Sequence, residues 1–85
     1  MLKYVICIIR NLACNNDKNR LLIADAGAIK LLLELMPFVS VKLRQKLAGA
    51  LQNLATNRAN RHQISIHGGV AVLVSLIQTD DLKLQ

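Results

Sequence analysis

Arg10-Asn11-Leu12-Ala13-Cys14-Asn15 returns, in altered form, as Gln52-Asn53-Leu54-Ala55-Thr56-Asn57. The offset is 42 positions for Asn11 and Asn53, and a one-residue deletion then reduces it to 41. On that second offset Asn19-Arg20 matches Asn60-Arg61, Ile23 matches Ile64, Gly27 matches Gly68, Ile29 matches Val70 and Leu32 matches Leu73. Self-similarity at a period of about forty residues, in segments of helical character, marks a solenoid whose units bury apolar faces against their neighbours.

Working outward, the β-branched run from Val5 to Ile9 would suggest a strand if read alone. Its counterpart Leu47-Ala48-Gly49-Ala50-Leu51 lies in strongly helical surroundings, so residues 2–13 are read as a helix. Asn15-Asn16-Asp17 is a cap-rich break before a short helix, about Lys18 to Asp25. Gly27 suits a left-handed helix end, and a second helix runs from Ala28 to Met36, where Pro37 closes it. Phe38 is expected to pack as a loop residue. Ser40 caps a longer helix through Ala55, in which Leu43, Leu47, Ala50, Leu51 and Leu54 form one buried stripe. The pattern then recurs: a break at Asn57–Asn60, a short helix at His62–Ile66, a second at Val70–Ile77, and a third beginning at Thr79-Asp80-Asp81. The chain thus divides into a third helix of a preceding unit (1–14), a complete unit (15–56) and a partial one (57–85). The first helix is apolar nearly all round, as expected of one with neighbours on both sides. Its outer face predicts a piece of a longer array, or self-association through uncapped ends.

Composition limits the function. The chain has 85 residues, 53% hydrophobic but only 2% aromatic, with no Trp. That balance favours helices packed through aliphatic side chains over a sheet built on aromatic pairs. Every apolar run falls short of the roughly 18 residues that span a membrane. The run after Lys3 stops at Arg10 with no small-residue cleavage site behind it, so a secretory signal is rejected. Cys7 and Cys14 lie two helical turns, about 10 Å, apart, too far for a disulfide. Free thiols, read here as buried small hydrophobes, point to a reducing, intracellular setting in cytoplasm or nucleus.

The ordered blocks Asn19-Arg20-x-x-Ile23-x-Asp25-Ala26-Gly27-Ala28-Ile29, Leu32-x-x-Leu35 and Ala50-Leu51-Gln52-Asn53-Leu54-Ala55 resemble the armadillo repeat in all three of its helices. Asn60-Arg61-x-x-Ile64 through His67-Gly68-Gly69-Val70 is a looser second copy, and Pro37-Phe38-Val39 departs from the family pattern. The resemblance implies an all-α, right-handed armadillo-type solenoid, a superhelix of three-helix repeats. It also implies a non-enzymatic protein-binding module, as in scaffolds, signalling adaptors, nuclear import adaptors and substrate-binding segments of ubiquitin ligases. In that family third helices line a concave groove, and an Asn near the end of each holds an extended peptide. Those positions here are Asn11 and Asn53. Their plainer role is to hydrogen-bond the next loop from a helix C-terminus, and the resemblance tips the reading towards ligand contact.

At 100° per residue, Lys42, Lys46, Gly49 and Asn53 fall within about 60° of one another. Tyr4, Cys7 and Asn11 form the equivalent stripe on the first helix, with Lys3 at its margin. Gly49 is read as leaving the groove floor open to a ligand or a neighbouring helix. With a net charge of +6, and Lys42 and Lys46 facing the groove, an acidic extended segment is the expected protein partner. Import receptors resembling this fold set a Trp one turn before each groove Asn. Here those positions are Cys7 and Gly49, which argues against a basic cargo. A basic helical-repeat nucleic-acid binder is the alternative from another class, but the cations are scattered and Tyr4 and Phe38 offer little stacking surface. His62 and His67 lie five apart, outside i,i+4 metal spacing, Gly68-Gly69 has no upstream strand, and no nucleophile has a placed base. No catalytic, cofactor or metal role is therefore expected.

Overall fold

A computed structural model describes residues 1–84, with the side chains of 76 and 78–84 outside the description. It is all-α, with no strand among the described residues. The helices are α1 (Leu2–Ala13), α2 (Asp17–Asp25), α3 (Ala28–Leu35), α4 (Val41–Leu54), α5 (Arg58–Ile66) and α6 (Gly69–Leu84), with a 3₁₀ turn at Met36–Phe38 after α3.

Local chemistry accounts for the boundaries. Asn16, Ser40 and Asn57 cap α2, α4 and α5, each accepting from the backbone N–H three residues on. Gly27 and Gly68 adopt positive φ, at 89° and 74°, to turn the chain into α3 and α6. The one-residue length difference between the copies is absorbed after α1, where Asn15 sits at φ 53°.

α1 lies against α4 in the most extensive contact between any two helices, and α2, α3 and α5 close the core around them. Ile6 and Ala13 from α1, Ile29, Leu32 and Leu33 from α3, and Leu47, Ala50, Leu51 and Leu54 from α4 are buried together with Met36 and Ile64. Leu43 is half-buried at the edge of the same stripe.

The carbonyls at the C-terminus of α1 have no partners within the helix, and other elements supply them. The Arg10 carbonyl accepts from Asn53 Nδ2 (2.9 Å), Leu12 from Asn19 Nδ2 (2.9 Å) and Ala13 from Arg20 Nε (2.7 Å), while Asn11 accepts from the Cys14 N–H. The second Asn-Arg pair repeats this clasp on α4: Asn60 Nδ2 donates to the Leu54 carbonyl (3.0 Å), and Arg61 donates to Ala55 (3.0 Å) and Thr56 (3.3 Å). Asn60 also reaches the Arg20 carbonyl (3.1 Å), and Asn57 Nδ2 reaches the Asp17 carboxylate. The most recognisable motif of the sequence is thus a helix-end clasp.

Four expectations are corrected. Phe38 is 85% exposed, because Met36 takes the buried place beneath the turn. Cys14 is exposed and Cys7 only half-buried, so the thiols are not core residues, though both are free. α5 begins at Arg58 rather than at His62, since Asn57 is its cap. Finally, α6 runs without a break from Gly69 through Thr79, so no new helix begins at Thr79-Asp80-Asp81. Gln78 stands where the first copy has Pro37, and without a proline nothing interrupts the helix.

Candidate functional site: a basic cleft between the first and fourth helices

Arg10, Lys42, Gln45 and Lys46 line an open cleft of about 370 Å³. Lys42 and Lys46 stand one turn apart on α4 and project beside α1, whose penultimate turn supplies Arg10. Among the described residues the ion pair within reach is Arg20 with Asp17 (3.6 Å), so none of the three cleft cations has a carboxylate partner. The lining has no acidic residue. Three cations sharing a shallow, water-edged hollow produce a positive potential that an anionic side chain can relieve.

The sequence-predicted residues divide into two groups. Lys42, Lys46, Gly49 and Asn53 gather around Arg10. Lys42 and Lys46 line the cleft with it, Gly49 lies beneath its side chain, and Asn53 bonds its carbonyl. Tyr4, Cys7 and Asn11 lie outside the cleft lining, with Tyr4 and Asn11 exposed and Cys7 half-buried. The Asn53 amide does have a structural partner, the helix before it rather than the loop after it. Its Oδ1 and second N–H remain available to a ligand.

Sequence reasoning missed Arg10. No sequence signal pointed to it, because its place over Gly49, where the missing Cβ makes room for the longer chain, depends on how α1 lies against α4. A Cβ built on Gly49 would meet Arg10 Cδ at 3.3 Å. That contact involves the flexible part of an arginine that can yield by a few tenths of an ångström, while a mid-helix Gly costs about 1 kcal/mol against Ala. Gly49→Ala is therefore expected to stabilise the fold by about 0.5 kcal/mol, read as a small rise in melting temperature. A fall would show that Arg10 is held rigidly over the glycine.

No group of His, Cys, Asp and Glu that could hold a metal occurs among the described residues, and no described helix is long and apolar enough to cross a membrane. Residues 16–56 match the Armadillo/beta-catenin-like repeat model. Over 82 residues the chain is 27% identical to Vacuolar protein 8 of Gibberella zeae, an alignment covering 96% of this chain but 15% of that protein. The chain spans about a seventh of that relative's length. No solved structure matches it significantly. Motif order, helical architecture and family model thus agree that residues 16–56 form an armadillo-type repeat.

Proposed function

We propose that the chain binds an extended, acidic segment of a protein partner along α4, anchored in the Arg10–Lys42–Lys46 cleft and passing over Asn53. Armadillo repeats are in general protein–protein interaction scaffolds, and the finer reading goes beyond that. The observation that carries it is the cleft itself: three cations without carboxylate partners, beside an Asn that keeps an acceptor and a donor free. Tyr4, Cys7 and Asn11 would extend the track along α1, the stripe equivalent to Lys46, Gly49 and Asn53. The chain's place would be within the cell, in cytoplasm or nucleus, as a non-enzymatic module of 1–14, 15–56 and 57–85. A role within an import adaptor or a ubiquitin-ligase substrate arm would use the same surface.

Fluorescence anisotropy with labelled Asp/Glu-rich, neutral and Lys/Arg-rich peptides tests the reading. The acidic peptide should bind tightest, and added salt should weaken it. Lys46→Glu should weaken it about tenfold, equivalent to about 1.4 kcal/mol, and flatten the salt dependence. Asn53→Ala should weaken it less. Equal binding of all three peptides, or wild-type affinity in Lys46→Glu, would defeat the proposal. Preference for single-stranded RNA with a steep salt slope would favour the nucleic-acid alternative instead.

A further inference from the structure

α5 inverts the charge pattern of its counterpart in the first copy. On the 41-residue offset, Arg58, Arg61 and His62 stand where α2 has Asp17, Arg20 and Leu21. In α2 the Arg20 guanidinium meets the Asp17 carboxylate, three residues before it, at 3.6 Å. In α5 a second guanidinium takes the place of that carboxylate, so an attraction between neighbours on one helix face becomes a repulsion. Among the described residues neither the Arg58 nor the His62 side chain has a hydrogen-bond or ion-pair partner. Arg61 is pinned: its Nη1 donates to the Ala55 and Thr56 carbonyls (3.0 and 3.3 Å), which fixes the charge and leaves Nε and Nη2 uncommitted.

These side chains share a groove. Arg58, Arg61 and His62, with Asn57 and Ala59, meet Leu21 of α2 around a broad, open hollow of about 830 Å³ whose lining has no acidic residue. Asp17 stands nearby, but both its oxygens accept from Asn57 Nδ2 at 3.1 Å and Arg20 balances its charge. The hollow opens away from the core: Arg58, Ala59, Arg61 and His62 are exposed, while Asn60 and Ile64 on the far side of α5 are buried. α2 has a following unit packed against it, and there the places equivalent to Arg58 and His62 stay open, with Asp17 62% and Leu21 38% exposed. Packing between units therefore does not close this face.

We infer that the α2–α5 groove binds a phosphorylated serine or threonine in an extended segment of a protein partner. Arg58 and Arg61 present guanidinium forks that match phosphate oxygens, and the His62 imidazole adds a third donor. A phosphate dianion neutralises the two guanidiniums that the fold leaves uncompensated, whereas a carboxylate carries about half that charge. The groove is larger than a phosphate, and Leu21 gives an apolar side chain beside the phosphorylated residue a place to lie. None of these residues lines the Arg10–Lys42–Lys46 cleft, so the inference does not rest on the acidic segment proposed for α4.

Fluorescence anisotropy tests it at about 0.1 M salt, with a labelled peptide in which one phosphoserine, flanked by leucine, is the only charged residue. The same peptide with unmodified serine should bind at least about tenfold more weakly, and a glutamate version should fall between them. Arg58→Asp gives α5 the acid–base pair of α2 and should reduce phosphopeptide affinity about tenfold or more at unchanged helicity. Arg58→Gln removes the charge without adding one and keeps the test open should the first variant misfold; it should cost about threefold or more. Lys30→Glu makes the same net-charge change as Arg58→Asp at an exposed position on α3 and should leave affinity within about twofold. Inorganic phosphate should compete only weakly, since it leaves Leu21 uncovered. Equal binding of the phosphorylated and unmodified peptides, wild-type affinity in both Arg58 variants, or an equal loss in Lys30→Glu would each overturn the inference. So would inorganic phosphate competing as strongly as the peptide, or an oligouridylate binding more tightly through Arg58, which would assign the groove to a bare anion or to nucleic acid.

Discussion

Replacing Asn60 by alanine is expected to lower stability by about 2–4 kcal/mol, a large share of what a domain this small possesses. Asn60 is 1% exposed, and its Nδ2 donates to two carbonyls from different helices, Leu54 at the end of α4 and Arg20 in α2. Alanine removes both bonds and leaves a small void in their place. Neither carbonyl can turn to water without moving its helix. At about 4–8 °C per kcal/mol for a chain of this length, the melting temperature should fall by roughly 10–25 °C. Asn60→Asp should be at least as damaging, because it places an acceptor against two acceptors and a charge in a buried site. Asn19, the equivalent residue in the first copy, bonds the Leu12 carbonyl and is half-buried, so Asn19→Ala should cost only about 1 kcal/mol. Thermal melts followed by circular dichroism decide the matter. Similar losses at the two positions would mean that the clasp acts locally and that the bond to Arg20 adds nothing.

Leu47→Ala carries the other large effect, about 2–5 kcal/mol. Leu47 is fully buried on α4, the helix that forms the most extensive contact of the fold with α1. Truncation loses the transfer free energy of three carbons and leaves a cavity that rigid helices cannot close. Leu31→Ala is the matched comparison, with the same chemistry at a residue 59% exposed, and should cost less than about 0.5 kcal/mol. Urea denaturation of both variants gives the difference directly. Equal losses would show that the α1–α4 contact is not where the stability resides.

Much of this was legible from the residues alone. The ends of α1 and the centres of the other helices followed from caps and periodicity, and the stripe from Leu47 to Leu54 proved buried. The misreadings share a cause. Phe38 and Cys14 were assigned by residue type, but exposure depends on which neighbour fills the core: Met36 does so in place of Phe38, and Ala13 is buried beside an exposed Cys14. The break expected at Thr79 assumed that the second copy would follow the first, although Gln78 lacks the constraint that Pro37 imposes.

The candidate site divides along the same line. Lys42, Lys46, Gly49 and Asn53 share a face because 100° per residue requires it. That angular rule holds for any helix, whatever surrounds it. The repeat, the all-helical architecture and the armadillo resemblance were likewise determined by the order of residues, since periodicity and capping are local properties. Only the tertiary structure placed Arg10 among the lysines, turned Asn53 towards the Arg10 carbonyl, and showed the Asn-Arg pairs to be clasps on a preceding helix. Those facts join residues about seven to forty-three positions apart, and they depend on how one helix lies across another, which no local pattern records.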